Sequence, residues 1–179
     1  MPAIEIRPAV EADIPIIAHF EHSYKSNYVW QMDYSRSEGH LAASFREIRL
    51  PRPVTVEYPR AARGLLEDWA ERTALLVGCL GGTPVGYISV SDRIAPTTAW
   101  VTDMVVTAEI RRRGVGTALL YAARDWAQQR KNRRMVLEMQ SKNYPAICLA
   151  QKLGWEFCGY NDHYYSNQDI AIFFGQFLR

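Results

Sequence analysis

The chain has 179 residues, with 21 lysines and arginines against 19 aspartates and glutamates, and 48% of it is hydrophobic. That composition belongs to a folded globular protein and excludes a disordered chain, a collagen repeat and a small disulfide scaffold. No stretch approaches the roughly 18 uncharged apolar residues of a spanning helix, and the first residues lack the pattern of a secretory leader. The three cysteines, Cys79, Cys148 and Cys158, form no CxxC pair, so a reducing, cytoplasmic setting without membrane attachment is expected.

Residues 3–7 alternate apolar and polar as a short strand does. Ala12–Phe20 then repeats Ile14, Ile17 and Ala18 at helical spacing, with Asp13 where a carboxylate suits the helix dipole. Tyr24–Asp33 is rich in aromatic residues and reads as irregular, and a second helix is expected over about Ser37–Ile48. Pro51–Pro59 carries three prolines around Val54-Thr55-Val56, which limits it to an edge strand. Thr73–Leu80 and Pro84–Ser91 read as strands joined through Gly81-Gly82 in a hairpin. Thr98–Thr107 is a third, buried strand. The helix expected next, Gly114–Arg130, places Val115, Ala118, Leu119, Ala122 and Trp126 on one face. Met135–Gln140 reads as a strand, Tyr144–Leu153 as a helix, and Glu156–Tyr165 and Asp169–Phe177 as two aromatic-rich strands. No repeat or linker divides the chain, so residues 1–179 read as one domain of α/β (α+β) class, a central sheet with helices packed on it.

The net charge of +2 conceals an asymmetry. Between Arg111 and Arg134 stand eight basic residues and one acid, Asp125. A patch of that sign wants an anion: nucleic acid, an acidic membrane surface or a polyphosphate cofactor. The local pattern favours the cofactor. Val106–Thr117 leaves a strand, passes Arg111-Arg112-Arg113-Gly114-Val115-Gly116-Thr117 and enters the amphipathic helix. Glycine admits close backbone approach, the first helical N–H groups lack internal partners, and adjacent arginines add charge-assisted bonds to phosphate. A Walker loop is excluded because no Lys-Ser/Thr follows these glycines, and a dinucleotide fingerprint because position 119 is Leu. What remains is R-x-x-G-x-G, carried by Arg111, Gly114 and Gly116.

This hexad resembles the acyl-CoA signature of the GNAT N-acetyltransferase superfamily. Asn143-Tyr144-Pro145-Ala146-Ile147-Cys148-Leu149 followed by Lys152-Leu153-Gly154-Trp155 is similar to the superfamily's second signature, with Trp155 in place of Phe. Ile6-Arg7-Pro8-Ala9 with Asp13-Ile14 resembles its first strand and helix. Leu137–Gln140, the Ala-Ile-Cys-Leu run and Ala171–Phe174 look like the streptothricin acetyltransferase branch. The resemblance implies a mixed, mostly antiparallel central sheet with a V-shaped split, helices on both faces, and acetyl-CoA as co-substrate in the cleft. It also implies that the backbone of Met104, Val105 and Val106 pairs with the pantetheine arm, that the pyrophosphate sits on the N–H groups of Arg112, Arg113, Gly114, Val115, Gly116 and Thr117, and that Asn143 borders the pantetheine. Arg111, Arg112 and Arg113 would serve the phosphates, while Arg130–Arg134 form a solvated helix end.

Acetyl transfer to an amine requires a group that takes the amine's proton, stabilisation of the oxyanion, and a proton for the departing thiolate. The thioester is already activated, so direct attack suffices, and Cys148 reads as packing. Glu138, a carboxylate in mid-strand, is the expected base, and Asp103 the second candidate; each could equally pair with an arginine or hold a substrate ammonium. Many relatives carry Tyr directly after the A-I-x-L run as the general acid. Here that position is Ala150, so either another group supplies the proton, or water does, or transferase activity is lost; Tyr160, His163, Tyr164 and Tyr165 are the substitutes at hand, with Tyr164 taken as the candidate. The four histidines show no zinc spacing, so no metal is expected. The resulting expectation is an N-acetyltransferase acting on a primary amine of a small cationic acceptor. Peptide N-acetylation and a non-catalytic CoA-binding fold are the alternatives. No nucleic-acid partner is expected, and a homodimer is allowed.

Overall fold

The computed structural model describes residues 3–179. Gly81 and Gly82 both adopt left-handed backbone, φ +56° and +82°, and this turn pairs β4 (Ala74–Leu80) with β5 (Thr83–Ala95). Side chains then alternate across the sheet. Leu75, Val77, Cys79 and Tyr87 meet Ile14 and Ile17 of α1 (Ile14–Ala18) and Leu65 of α2 (Arg63–Asp68). Leu76, Ile88 and Val90 pack with α3 (Val115–Gln129). Each fully buried aliphatic side chain contributes about 1.5–3 kcal/mol by leaving water.

β1 (Ile4–Pro8), β6 (Thr98–Val106), β7 (Arg134–Gln140), β8 (Glu156–Asn161) and β9 (Ala171–Phe177) complete one sheet in the order β1-β4-β5-β6-β7-β9-β8. Only β6 and β7 are parallel, joined by the α3 crossover. Their pairing runs from Thr98–Arg134 to Val101–Leu137 and stops there. β6 stays paired with β5 to Val106, and β7 with β9 to Gln140. The two strands therefore diverge, and this is the V-shaped split. α4 (Tyr144–Lys152) follows β7.

Four expectations require correction. The irregular Tyr24–Asp33 segment and the helix over Ser37–Ile48 are instead the two strands of a long hairpin, β2 (Tyr24–Ser37) and β3 (His40–Val56). Glu38-Gly39 makes the tight turn, with Gly39 at φ +67°. Tertiary packing overrides helical propensity: Trp30 reaches Phe174 at a centroid distance of 5.6 Å, and Phe45 reaches Phe157 at 5.4 Å. The buried face of α3 centres on Val115, Leu119, Leu120, Ala123 and Ala127, which leaves Ala118, Ala122 and Trp126 at its rim. β8 ends at Asn161, so His163, Tyr164 and Tyr165 lie in the following loop. There the N–H groups of Tyr164 and Tyr165 donate to the Asp169 carbonyl.

Candidate active site

The turn between β6 and α3 is an open cradle of backbone donors. Arg112 and Gly114 both take left-handed backbone, φ +66° and +88°, and Gly114 caps α3. Among the described residues, no acceptor takes the N–H groups of Arg112 through Thr117; the first engaged donor is Ala118 N–H, on the Gly114 carbonyl. A run of free donors at the positive end of a fifteen-residue helix fits a diphosphate. A Cβ on Gly116 would stand 3.4 Å from Leu149 and 3.9 Å from Met104, between α4 and β6. Helix α3 sits close to the sheet because Gly86 lacks a side chain; a Cβ there would meet Val115 at 3.1 Å.

Arg112 and Arg113 are exposed. Arg111 is engaged elsewhere: its Nε donates to the Val106 carbonyl at 2.8 Å and its Nη2 to the Glu21 carbonyl at 2.6 Å. It ties the turn to the chain beyond α1, and burial lowers its pKa. Met104 shares the strand parity of Val106, so its peptide faces the split, and its side chain lines the cleft; Val105 points into the opposite core. Asn143 caps α4 by accepting the Ala146 N–H at 3.2 Å and also lines the cleft. So do Thr102, Leu137, Glu138, Gln140, Ala150 and Tyr165.

At the apex of the split the two expected carboxylates stand in one ionic cluster. The Glu138 side chain does not face open water: it is 1% exposed. Its Oε1 accepts from Arg60 Nη2, and its Oε2 accepts from Trp100 Nε1 at 2.8 Å and from the Tyr164 hydroxyl at 3.0 Å. Asp103 Oδ1 accepts from the Tyr58 hydroxyl at 2.8 Å. Its Oδ2 accepts from Arg72 Nη1 at 3.1 Å and Thr102 Oγ1 at 3.2 Å. Arg60 lies 3.6 Å from Asp103 as well. Two carboxylates face two guanidiniums, so the cluster balances its charge inside the protein. Burial, and then the Glu138 charge, raise the Tyr164 hydroxyl above its ordinary range, which keeps it protonated as a donor. Burial does the same for Tyr58, reinforced by Asp103.

Glu138, Asp103 and Tyr164 were expected from sequence and are brought within one network. Tyr58, Arg60, Arg72 and Trp100 were not foreseen in it. Arg60 sits in the short loop 57–62 between β3 and α2, where an arginine normally points to water, so no local signal distinguished it. Ala150 is fully buried on the wall of the same cleft.

Residues 41–155 match the sequence profile of the acetyltransferase (GNAT) family. The chain belongs to that family. It is an N-acetyltransferase, and its sheet and split have the family's form. It is 28% identical to the streptothricin acetyltransferase of Streptomyces lavendulae over 167 residues, 90% of this chain and 86% of the relative. In fold it is similar to a nourseothricin acetyltransferase, with a TM-score of 0.82 at 23% identity over 99% of both chains. It is also similar to a Bacillus anthracis protein provisionally named streptothricin acetyltransferase and solved with acetyl coenzyme A. There the TM-score is 0.74 at 18% identity, over 99% of this chain and 98% of the other.

Proposed function

We propose that this acetyltransferase moves the acetyl group of acetyl-CoA to a primary amine on a small cationic acceptor by direct attack at the apex of the split. The observation that carries this reading is that a turn of free donors adjoins, through Met104 and Leu149 beside Gly116, the cleft that Glu138 lines. The free N–H groups of Arg112–Thr117 suit the diphosphate of CoA, and Met104 and Asn143 line the way inward. At the inner end stands the Glu138 cluster.

Acetyl-CoA supplies an activated acyl group; the chain's own residues handle protons. Glu138 accepts the proton released as the amine attacks. Tyr164 donates its hydroxyl proton to the departing thiolate and is replenished from Glu138 across their hydrogen bond. This route supplies the acid that Ala150 does not. The acceptor's cationic character is supported by a second hollow beside the hairpin, lined by Glu57, Asp169 and Lys142: Lys142 pairs with Asp169, which leaves the Glu57 carboxylate as the hollow's excess charge. Gln140 joins the two spaces: it lines the cleft, and its Nε2 donates to Asp169 Oδ2 at 2.7 Å. The relatives' names point to streptothricin-type antibiotics as acceptors of this kind.

The deciding experiment measures thiol release from acetyl-CoA with streptothricin, aminoglycosides, polyamines, simple amines and N-terminal peptides. Turnover is expected with a polycationic small molecule. Turnover restricted to peptides would replace the acceptor, and binding of CoA without turnover on any amine would reject the catalytic reading.

A further inference from the structure

Arg60 stands where the sheet divides. β6 and β7 are paired as far as Val101 and Leu137; Thr102 and Glu138 are the first residues of each arm without a partner across the split. The Arg60 guanidinium fills that gap. Its Nη1 donates to the Thr102 carbonyl at 2.8 Å, and its Nη2 donates to Glu138 Oε1. Its Cζ lies over the Tyr165 ring, 5.3 Å from the centroid. Arg60 comes from the loop between β3 and α2, and Tyr58 of the same loop is tied to Asp103.

The chemistry of the gap selects a guanidinium. A carbonyl on one arm and a carboxylate on the other require two donors held at a fixed separation, which a planar fork provides and a single ammonium does not. The Glu138 carboxylate has almost no contact with water, so its direction is set by protein donors alone. Trp100 and Tyr164 hold one oxygen; Arg60 is its only ionic partner among the described residues and holds the other.

We propose that Arg60 is a positioning residue: it clamps the apex of the split and fixes the Glu138 carboxylate in the direction from which it takes the acceptor's proton. This rests on the assignment of Glu138 as the base. Arg60 acts through Glu138 and need not touch either substrate.

The test combines two readouts on Arg60→Ala and Arg60→Lys. The indole N–H of Trp100 donates to Glu138 at 2.8 Å, so its NMR resonance reports where the carboxylate stands. It is picked out from the five tryptophans by Trp100→Phe. In Arg60→Ala this resonance is expected to move more than the other indoles and to return when methylguanidinium is added. kcat is expected to fall about 10- to 100-fold, the scale of a misplaced catalytic group, with KM for acetyl-CoA unchanged and partial rescue by methylguanidinium. Arg60→Lys, which keeps the charge and loses the fork, should show the same displacement and carries the test if Arg60→Ala does not fold. A Trp100 resonance that stays in place overturns the proposal whatever happens to kcat. If the native protein turns over no amine, the acetyl-transfer reading fails, and the indole resonance still decides whether Arg60 positions Glu138.

Discussion

The turn between β6 and α3 adjoins, through Met104 and Leu149, the cleft lined by the cluster around Glu138, yet the two are built in opposite ways. The turn is one run of chain, Met104 to Thr117, and it works through backbone: free N–H groups, two left-handed residues and a glycine that leaves room. The cluster works through side chains and gathers them from β6, β7, the loop before α2, the bend before β4 and the loop after β8. A backbone site tolerates change in neighbouring side chains but not in its glycines. A side-chain cluster inside the protein depends on every member, because each charge is balanced only by the others.

The contrast predicts different failures. The largest effect is expected at Glu138: Glu138→Gln should lower kcat/KM by roughly 10²–10⁴-fold while leaving CoA affinity intact. Turnover at the native rate in Glu138→Gln would remove Glu138 from the mechanism and pass its role to Asp103, the other carboxylate of the cluster. Next comes the turn. Gly116→Leu places a side chain against Leu149 and Met104 and should weaken CoA binding by more than about tenfold in a folded protein. Calorimetry with unaltered affinity would sink the assignment of the cradle.

The smallest effect on activity is expected at a third ionic pair, which serves as the control. Asp13 accepts from Arg7, on the edge strand β1, at 2.6 and 2.9 Å and from the Val10 N–H at 2.8 Å. The Arg7 hydrogen bond, against opposing burial, holds the Asp13 carboxyl below its usual range. A depressed carboxyl stabilises the fold above its unfolded pKa of about 3.9, and that contribution is lost as pH falls through the lower folded value. Asp13→Ala should therefore lower Tm by roughly 3–8 °C at neutral pH without changing kcat, and the difference should shrink below about pH 4. A Tm gap that persists in acid would show that packing, rather than the ion pair, accounts for the loss.

The two regions also differ in how far they can be read from the chain itself. Arg111, Gly114 and Gly116 stand within six residues of one another between a strand and an amphipathic helix, so residue type and spacing together describe the turn. Even there, the structure commits Arg111 to the Val106 and Glu21 carbonyls, contacts that spacing alone does not contain. Glu138 was conspicuous as a carboxylate in an apolar strand, but its partners were not: Arg60 is 78 residues away in sequence. The hairpin was hidden for a related reason. Ser37–Ile48 has the apolar content of a helix, and only the aromatic surface of β8 and β9 makes the extended form of Trp30 and Phe45 the more stable one.

The sequence by itself determined what depends on neighbours along the chain: the β4–β5 hairpin at Gly81-Gly82, the phase that makes α3 a helix, and the donor-lined turn at its start. These follow from glycine's backbone freedom and from periodicity, which are local. Tertiary structure alone decided where β6 and β7 part, which arginine fills the gap between them, and which donors hold the buried Glu138 carboxylate at its edge. Those outcomes require distant charges to find one another in a medium where none can remain unpaired.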